Sequence, residues 1–422
     1  MATQTKSKKT AKSPARPRRD ATSRPATADT GPFLADPKRA FQMVMELMAI
    51  PGTSGHEKAV ADYITGKLRE AGAPASAIRH DNAHQKTPLA GEVGNLIFQM
   101  PGTLRAPRRL LMAHMDTVPI CVGAKPVRKG RVVRSGDPKT GLGADDRSGV
   151  AVVLNAALEI IERKLPHPPL TFFWPIQEEV GLHGAHYAQL ALLGKPRLAF
   201  NWDGGAAEKI TVAATGGYRL QIEIEGLAAH AGAAPEQGVS AIAIASLAIA
   251  ELVREGWHGL IVKGDHRGTS NVGTIHGGDA TNVVTDRVEL KAEARSHDQA
   301  FRKQIVAAIE QAFQKAALAV RNAAGRHGHV RFHGRHDYEA FRLAADEPSV
   351  LAAERAVRDA GLEPQRAVSN GGLDANWMTA HGIPTVTLGC GQMQIHTTRE
   401  FLNIAAFEKA CSIALDLASQ TT

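Results

Sequence analysis

The chain has 422 residues, 43% of them apolar and 22% charged. It can bury a large core in two or three domains, and no uncharged apolar run reaches the roughly 18 residues that a membrane-spanning helix needs. The net charge of +8 is concentrated at one end: residues 1–30 carry eight Lys/Arg against two Asp, so the body is close to neutral and a basic nucleic-acid-binding body is excluded.

Residues 1–32 read as a disordered basic tail, rich in Ser, Thr, Ala and Pro, with too little apolar surface to offset ordering entropy. The tail lacks the apolar stretch of a secretory signal. Three cysteines, Cys121, Cys390 and Cys411, are too few for a disulfide framework and fit a reducing, cytoplasmic setting. From about Phe33 the pattern changes. Residues 37–49 and 56–71 have helical spacing, stopped by Pro51-Gly52 and by Gly72. Short apolar runs at 95–99, 109–113, 170–175, 198–202 and 210–214 read as strands, with a helix over 147–163. Such alternation predicts an α/β domain with a sheet covered on both faces. Over 217–335 the order becomes strand 218–225, helix 239–254, strands 270–275 and 288–294, helix 299–318 and strand 330–333. That β-α-β-β-α-β order is the split, ferredoxin-like pattern. A helix at 349–360, strands at 367–369 and 385–388, and a closing helix at 401–417 complete the chain. The predicted division is catalytic domain 33–216 and 336–422, interrupted by an inserted domain over 217–335.

Ligands in open α/β sheets bind at the carboxyl ends of the strands. Five polar clusters fall at such places. His114 and Asp116 follow the strand at 109–113, and residues two apart in extended chain share a face. A carboxylate beside an imidazole fixes its tautomer. Asp145-Asp146 precedes a helix after Gly141-Leu142-Gly143; capping accounts for one acid, not for two. Glu178-Glu179 follows Thr171–Pro175, and adjacent side chains diverge, so one can take a metal while the other handles a proton. Asp203 ends a strand before two glycines, and His396 lies in a loop after the strand at 385–388. Two histidines and at least three carboxylates at the strand ends of one domain suit mixed N/O ligation by zinc, cobalt or manganese. A two-metal hydrolase needs a bridging carboxylate and a separate base for the attacking water.

The ordered set His114-Met115-Asp116-Thr117-Val118-Pro119, Gly143-Ala144-Asp145-Asp146, Glu178-Glu179-Val180-Gly181, Asp203-Gly204-Gly205 and Ile395-His396 resembles the M20 family of metallopeptidases. Within it, the resemblance is to the peptidase T-like branch of tripeptide aminopeptidases, over roughly 41–419. It implies a zinc-exopeptidase-like catalytic domain with a central, mostly parallel sheet, plus an inserted α+β lid or dimerisation domain. It implies two divalent ions, zinc first, and a metal-bridged hydroxide that attacks short peptides. His114 and Asp203 would hold one ion, Glu179 and His396 the other, and Asp145 would bridge them. Asp116 would orient His114, and Glu178 would be the general base. In the inserted domain, Ala229-His230-Ala231-Gly232 resembles the family's lid motif, whose histidine stabilises the oxyanion. Asn282 and Arg295 would hold the substrate, Arg295 through a carboxylate. Since the lid histidine acts across a dimer interface in some relatives, a homodimer through the lid is expected.

The sequence departs from that pattern at Ala231, where many relatives have Pro, at Arg147, and in residues 1–30, which have no counterpart. His183 and His186 are expected to be solvated rather than ligating, and Cys390 to be a small buried residue. Asn370-Gly371-Gly372-Leu373-Asp374 matches a glycine turn near the substrate. Carboxypeptidase and N-acyl-amino-acid deacylase activity use the same scaffold and remain open. A non-catalytic nucleic-acid binder acting through the tail is the reading from a different class; the intact cluster of acids and histidines argues against it.

Overall fold

The computed structural model describes residues 1–4 and 34–419. The expected basic tail lies, apart from residues 1–4, outside the described residues. The first helix, Pro37–Ala49, is capped by the Asp36 side chain, which accepts from the Lys38 and Arg39 amides. It buries Ala40, Met43, Val44, Leu47 and Met48, one helical face.

The core is built on a nine-stranded sheet. Its order is Ile78–His80, Leu96–Met100, Leu170–Trp174, Arg109–Met112, Leu198–Trp202, Thr385–Leu388, Lys209–Ala214 and Phe341–Arg342, with Gln365–Ser369 also paired to Lys209–Ala214. The four central strands, from Leu170–Trp174 to Thr385–Leu388, run parallel. All their residues are buried, which is why they read as continuous apolar runs rather than alternating ones. Helix Ala144–Arg163 lies in the core, buried from Ala144 to Ile160. All four parallel strands end at the same edge of the sheet, and the segments that follow them carry the candidate site residues.

The second sheet has five antiparallel strands in the order Gly259–Lys263, His266–Gly277, Arg287–Ser296, Gly216–Glu225 and His329–Tyr338. Helices Ala241–Arg254 and Gln299–Ala319 cover one face, closing a core of Leu220, Ile222, Ile224, Val288, Leu290, Phe301 and Phe313. This is the split β-α-β pattern with one strand more than expected. The addition, Gly259–Lys263, is an edge strand whose Leu260 and Val262 point to solvent.

Two further elements differ from expectation. Residues 401–403 are a short strand, and the closing helix begins later, as Ile404–Ser419. That strand joins Gln392–Met393 and the hairpin Pro126–Lys129/Val132–Ser135 in a four-stranded sheet. Among the described residues no helix is long and apolar enough to cross a membrane.

Candidate metal centre

His114 and Asp116 follow the strand Arg109–Met112 in a segment without regular secondary structure. The His114 Nδ1 lies 3.1 Å from the Asp116 carbonyl oxygen and 3.4 Å from its carboxylate. The Asp116 carboxylate also accepts from the Ser54 hydroxyl at 2.6 Å and from the amides of Glu178 and Glu179 at 3.0 and 3.2 Å. One buried carboxylate thus ties the segment after Arg109–Met112 to the segment after Leu170–Trp174.

The two acids at the start of helix Ala144–Arg163 divide their work. Gly143 takes φ +75°, a left-handed conformation natural to glycine, and the Asp145–Asp146 peptide bond is cis. Asp146 behaves as a cap: its carboxylate accepts from the Gly149 amide at 3.1 Å and the His114 amide at 3.2 Å. Asp145 turns the other way, with its two oxygens 3.3 Å from His114 Nε2 and 3.2 Å from His396 Nε2. The Glu179 carboxylate lies 3.0 Å from the same His396 nitrogen. Asp203 and Asp145 are linked by the Gln392 amide, which donates to both at 3.1 Å.

Two sets of potential ligands follow: His114, Asp145 and Asp203, and Asp145, Glu179 and His396, each with donor atoms within 4.8 Å of one another. Asp145 belongs to both. Mixed imidazole and carboxylate donors fit divalent zinc, cobalt or manganese. The electrostatics fit as well. Burial holds Asp203 up to about 6 and Glu179 up to about 7, reinforced in each case by the Asp145 charge. His396 is pushed up to about 10 by hydrogen bonding to Asp145 and Glu179. Burial disfavours the His114 cation, yet the Asp116 and Asp145 carboxylates raise its pKa well above the ordinary range. A cluster that holds protons this tightly is short of positive charge, which a pair of cations would supply.

Glu178 is buried beside this cluster and belongs to neither donor set. Burial raises its pKa well above the ordinary carboxylate range, and Asp203, Glu179 and Asp374 push in the same direction, against His114. The cluster opens into a cavity of about 590 Å³, lined by Asp145, Glu178, Glu179, Asp203 and His396 and, from the inserted domain, by Arg219, Arg295 and Tyr338. Arg295 therefore reaches the cavity, while its Nε and Nη2 bind Glu293 at 3.0 and 2.9 Å. His230 and Asn282 do not line it. They are exposed neighbours on the inserted domain, joined by an Ala231 amide to Asn282 carbonyl bond of 2.9 Å, and the His230 Nδ1 accepts from the Gly232 and Ala233 amides.

Some expectations need correction. His183 is buried, not solvated, and its Nδ1 has no hydrogen-bond partner among the described residues. His186 stacks on Trp377 with ring centroids 3.6 Å apart. Both lie on a short helix, His183–His186, and both rings meet Tyr187, with centroids 6.2 and 4.2 Å away. Neither belongs to a donor set. Cys390 is buried, as expected.

Sequence reasoning missed two supporting residues. Gln392 is one, and its place two residues beyond Cys390, after a parallel strand, is the signal that could have found it. Glu400 is the other. Its buried carboxylate accepts from the amides of Leu142, Gly143 and Asp145 at 2.7, 2.8 and 3.0 Å, fixing the turn that presents Asp145. Glu400→Ala leaves three amides without this acceptor. At about 1 kcal/mol or more each, a loss of roughly 3 kcal/mol is expected in urea unfolding of the metal-free protein, with weaker metal retention on dialysis.

Residues 110–420 match the peptidase family M20/M25/M40. The chain belongs to this family of metallopeptidases and is a hydrolase of peptide bonds. Its solved relatives narrow the place within the family. A tripeptidase from Staphylococcus aureus subsp. aureus Mu50 is 31% identical, with a TM-score of 0.82 over 92% of this chain and 99% of that one. The aminopeptidase PepT of Bacillus cereus ATCC 10987 is 32% identical, with a TM-score of 0.78 over 91% and 98%. Peptidase T of Escherichia fergusonii is 26% identical over 69% of each chain. YqjE of Bacillus subtilis strain 168, an uncharacterised protein, is 31% identical over 90% of this chain and 98% of its own length.

Proposed function

We propose that this protein is a two-metal aminopeptidase acting on short peptides, in the manner of a tripeptidase. The observation that carries this reading is the pair of donor sets sharing Asp145, with Glu178 buried beside them and outside both. The names of the S. aureus and B. cereus relatives support the tripeptide and N-terminal specificity.

In this reading His114 and Asp203 hold one ion, Glu179 and His396 the other, and Asp145 both. Zinc is the first choice, given imidazole and carboxylate donors. When bound, the ions polarise the scissile carbonyl and make water acidic enough to attack near neutral pH. Asp116 orients the His114 ring. Glu178 accepts the proton of the attacking water and passes it to the leaving amine. Arg295 holds the substrate through a carboxylate.

The segment 217–335 serves as lid and dimerisation domain between the catalytic segments 33–216 and 336–422. His230 and Asn282 lie outside the cavity of their own chain, and the edge strand Gly259–Lys263 exposes Leu260 and Val262. Both facts support a homodimer in which a second copy's lid completes the site. Three free, buried cysteines suit a cytoplasmic enzyme.

The test is metal analysis with an activity panel. Two divalent ions per chain are expected. Chelation should abolish hydrolysis, and zinc, cobalt or manganese should restore it. Free-amine tripeptides should be cleaved, and N-blocked ones should not. Cleavage confined to N-acyl amino acids would make the protein a deacylase. A chain that held no metal, hydrolysed nothing and bound DNA in a salt-sensitive way lost with residues 1–30 would reverse the enzyme reading.

A further inference from the structure

Tyr338 is the last residue of the strand His329–Tyr338, where the inserted domain returns to the catalytic one. The residue is 4% exposed, yet it lines the same cavity as the acid cluster and Arg295. The phenol tip lies in a slot that glycines of both domains leave open. A Cβ on Gly372 would stand 2.4 Å from Cζ and 2.7 Å from Oη, and one on Gly217 would stand 3.0 and 3.2 Å away. Contacts under 3.0 Å are not tolerated, so a side chain at position 372 would displace the ring. The hydroxyl, in contrast, has no hydrogen-bond partner among the described residues. A tyrosine hydroxyl in a buried setting ordinarily finds one. Here it is a donor on a cavity-lining residue, with nothing among the described residues to bind.

Arg295 supplies the second half of the argument. Its Nε and Nη2 are engaged by Glu293, so the side-on edge of the guanidinium is in use and the end-on Nη1/Nη2 edge is left for the substrate. A peptide carboxylate held there has about four acceptor positions, of which that edge uses two, so a further donor can be accommodated.

We propose that Tyr338 is a substrate-binding residue whose hydroxyl donates to the C-terminal carboxylate of the peptide, adding a neutral donor to those that Arg295 supplies from the same cavity wall. This deepens the aminopeptidase reading and rests on it. It makes a free C-terminus within reach of the cluster the feature that selects short peptides. No bond is made or broken at Tyr338, so the effect falls on binding.

The test compares trialanine with trialanine amide on the metal-loaded enzyme and on Tyr338→Phe, which keeps the ring in its slot. For trialanine, KM is expected to rise about tenfold or more, the size of one hydrogen bond to a charged group, with kcat nearly unchanged. For the amide, KM should move less than about twofold. Calorimetric binding of both peptides in a Glu178→Ala background should show the same split without turnover. Equal changes for acid and amide, or none, would overturn the proposal, because a purely structural role cannot tell the two apart. If the variant fails to fold, the wild type decides: a KM for trialanine no lower than that for its amide overturns it too. If the enzyme cleaves only N-blocked substrates, the aminopeptidase reading falls. The acid–amide comparison, run on N-acetyl-trialanine and its amide, would still judge Tyr338.

Discussion

Glu178→Ala is expected to lower kcat for tripeptide hydrolysis by roughly 10²–10⁴-fold, the usual contribution of a positioned acid–base group, while two metal ions per chain are retained. The separation of these effects follows from geometry. The Glu178 amide is pinned to Asp116 at 3.0 Å, as the Glu179 amide is at 3.2 Å, so the backbone that aims Glu179 does not depend on the Glu178 side chain. The Glu178 carboxylate is in neither donor set. Its raised pKa, caused first by burial and then by Asp203, Glu179 and Asp374, favours a group that can both accept and release a proton. Removing it takes one anion from a crowded cluster, so thermal stability is expected to hold. Undiminished hydrolysis would refute Glu178 as the base. Loss of metal along with activity would make it a ligand instead.

The parts of the site that were legible in the sequence share one physical cause. A parallel strand buried on both faces is a continuous apolar run, and its end is marked by the first polar residues. The runs before His114, Glu178 and Asp203 are of this kind, so a one-dimensional reading could find where each chain segment reaches the site. The same logic fails for wet or edge strands. The hairpin Pro126–Ser135 contains Arg128, Lys129 and Arg134, and its partner Phe401–Asn403 is more than 260 residues away, so no local pattern announces it. Gly259–Lys263 buries only Ile261 fully and exposes the apolar residues on either side, the reverse of a half-buried strand. Glu400 sits among polar residues, and its role depends on amides some 255 positions earlier. The burial of His183 is not announced by its sequence neighbours, because the charged groups that face it, Arg219, Arg335, Asp337 and Asp116, come from distant parts of the chain.

Asp145→Asn is expected to do what Glu178→Ala does not: reduce the metal content from two ions per chain to one or none, and lower activity beyond the roughly 10–100-fold that loss of an outer partner costs. Asparagine keeps the shape but replaces one acceptor oxygen with a donor amide. One oxygen of Asp145 now faces His114 and the other faces His396, so whichever way the amide turns, one donor set loses a ligand and both lose a charge. Hydrogen bonds from these two histidines keep the Asp145 carboxyl below the ordinary range in spite of its burial. Its neighbour is the opposite case. Burial holds Asp146 well above the ordinary range, Asp203 and Asp145 add to the effect, and its oxygens are spent on the amides of Gly149 and His114. Asp146→Asn should therefore cost stability in urea unfolding by about 1 kcal/mol or more, because one of its two oxygens becomes a donor and leaves either the Gly149 or the His114 amide without its acceptor, with both ions still bound. Two adjacent acids of identical chemistry are thus separated by metal stoichiometry and unfolding measured side by side. If Asp146→Asn sheds the ions and Asp145→Asn keeps them, the bridging role belongs to the other carboxylate, and the two-ion reading built on Asp145 fails.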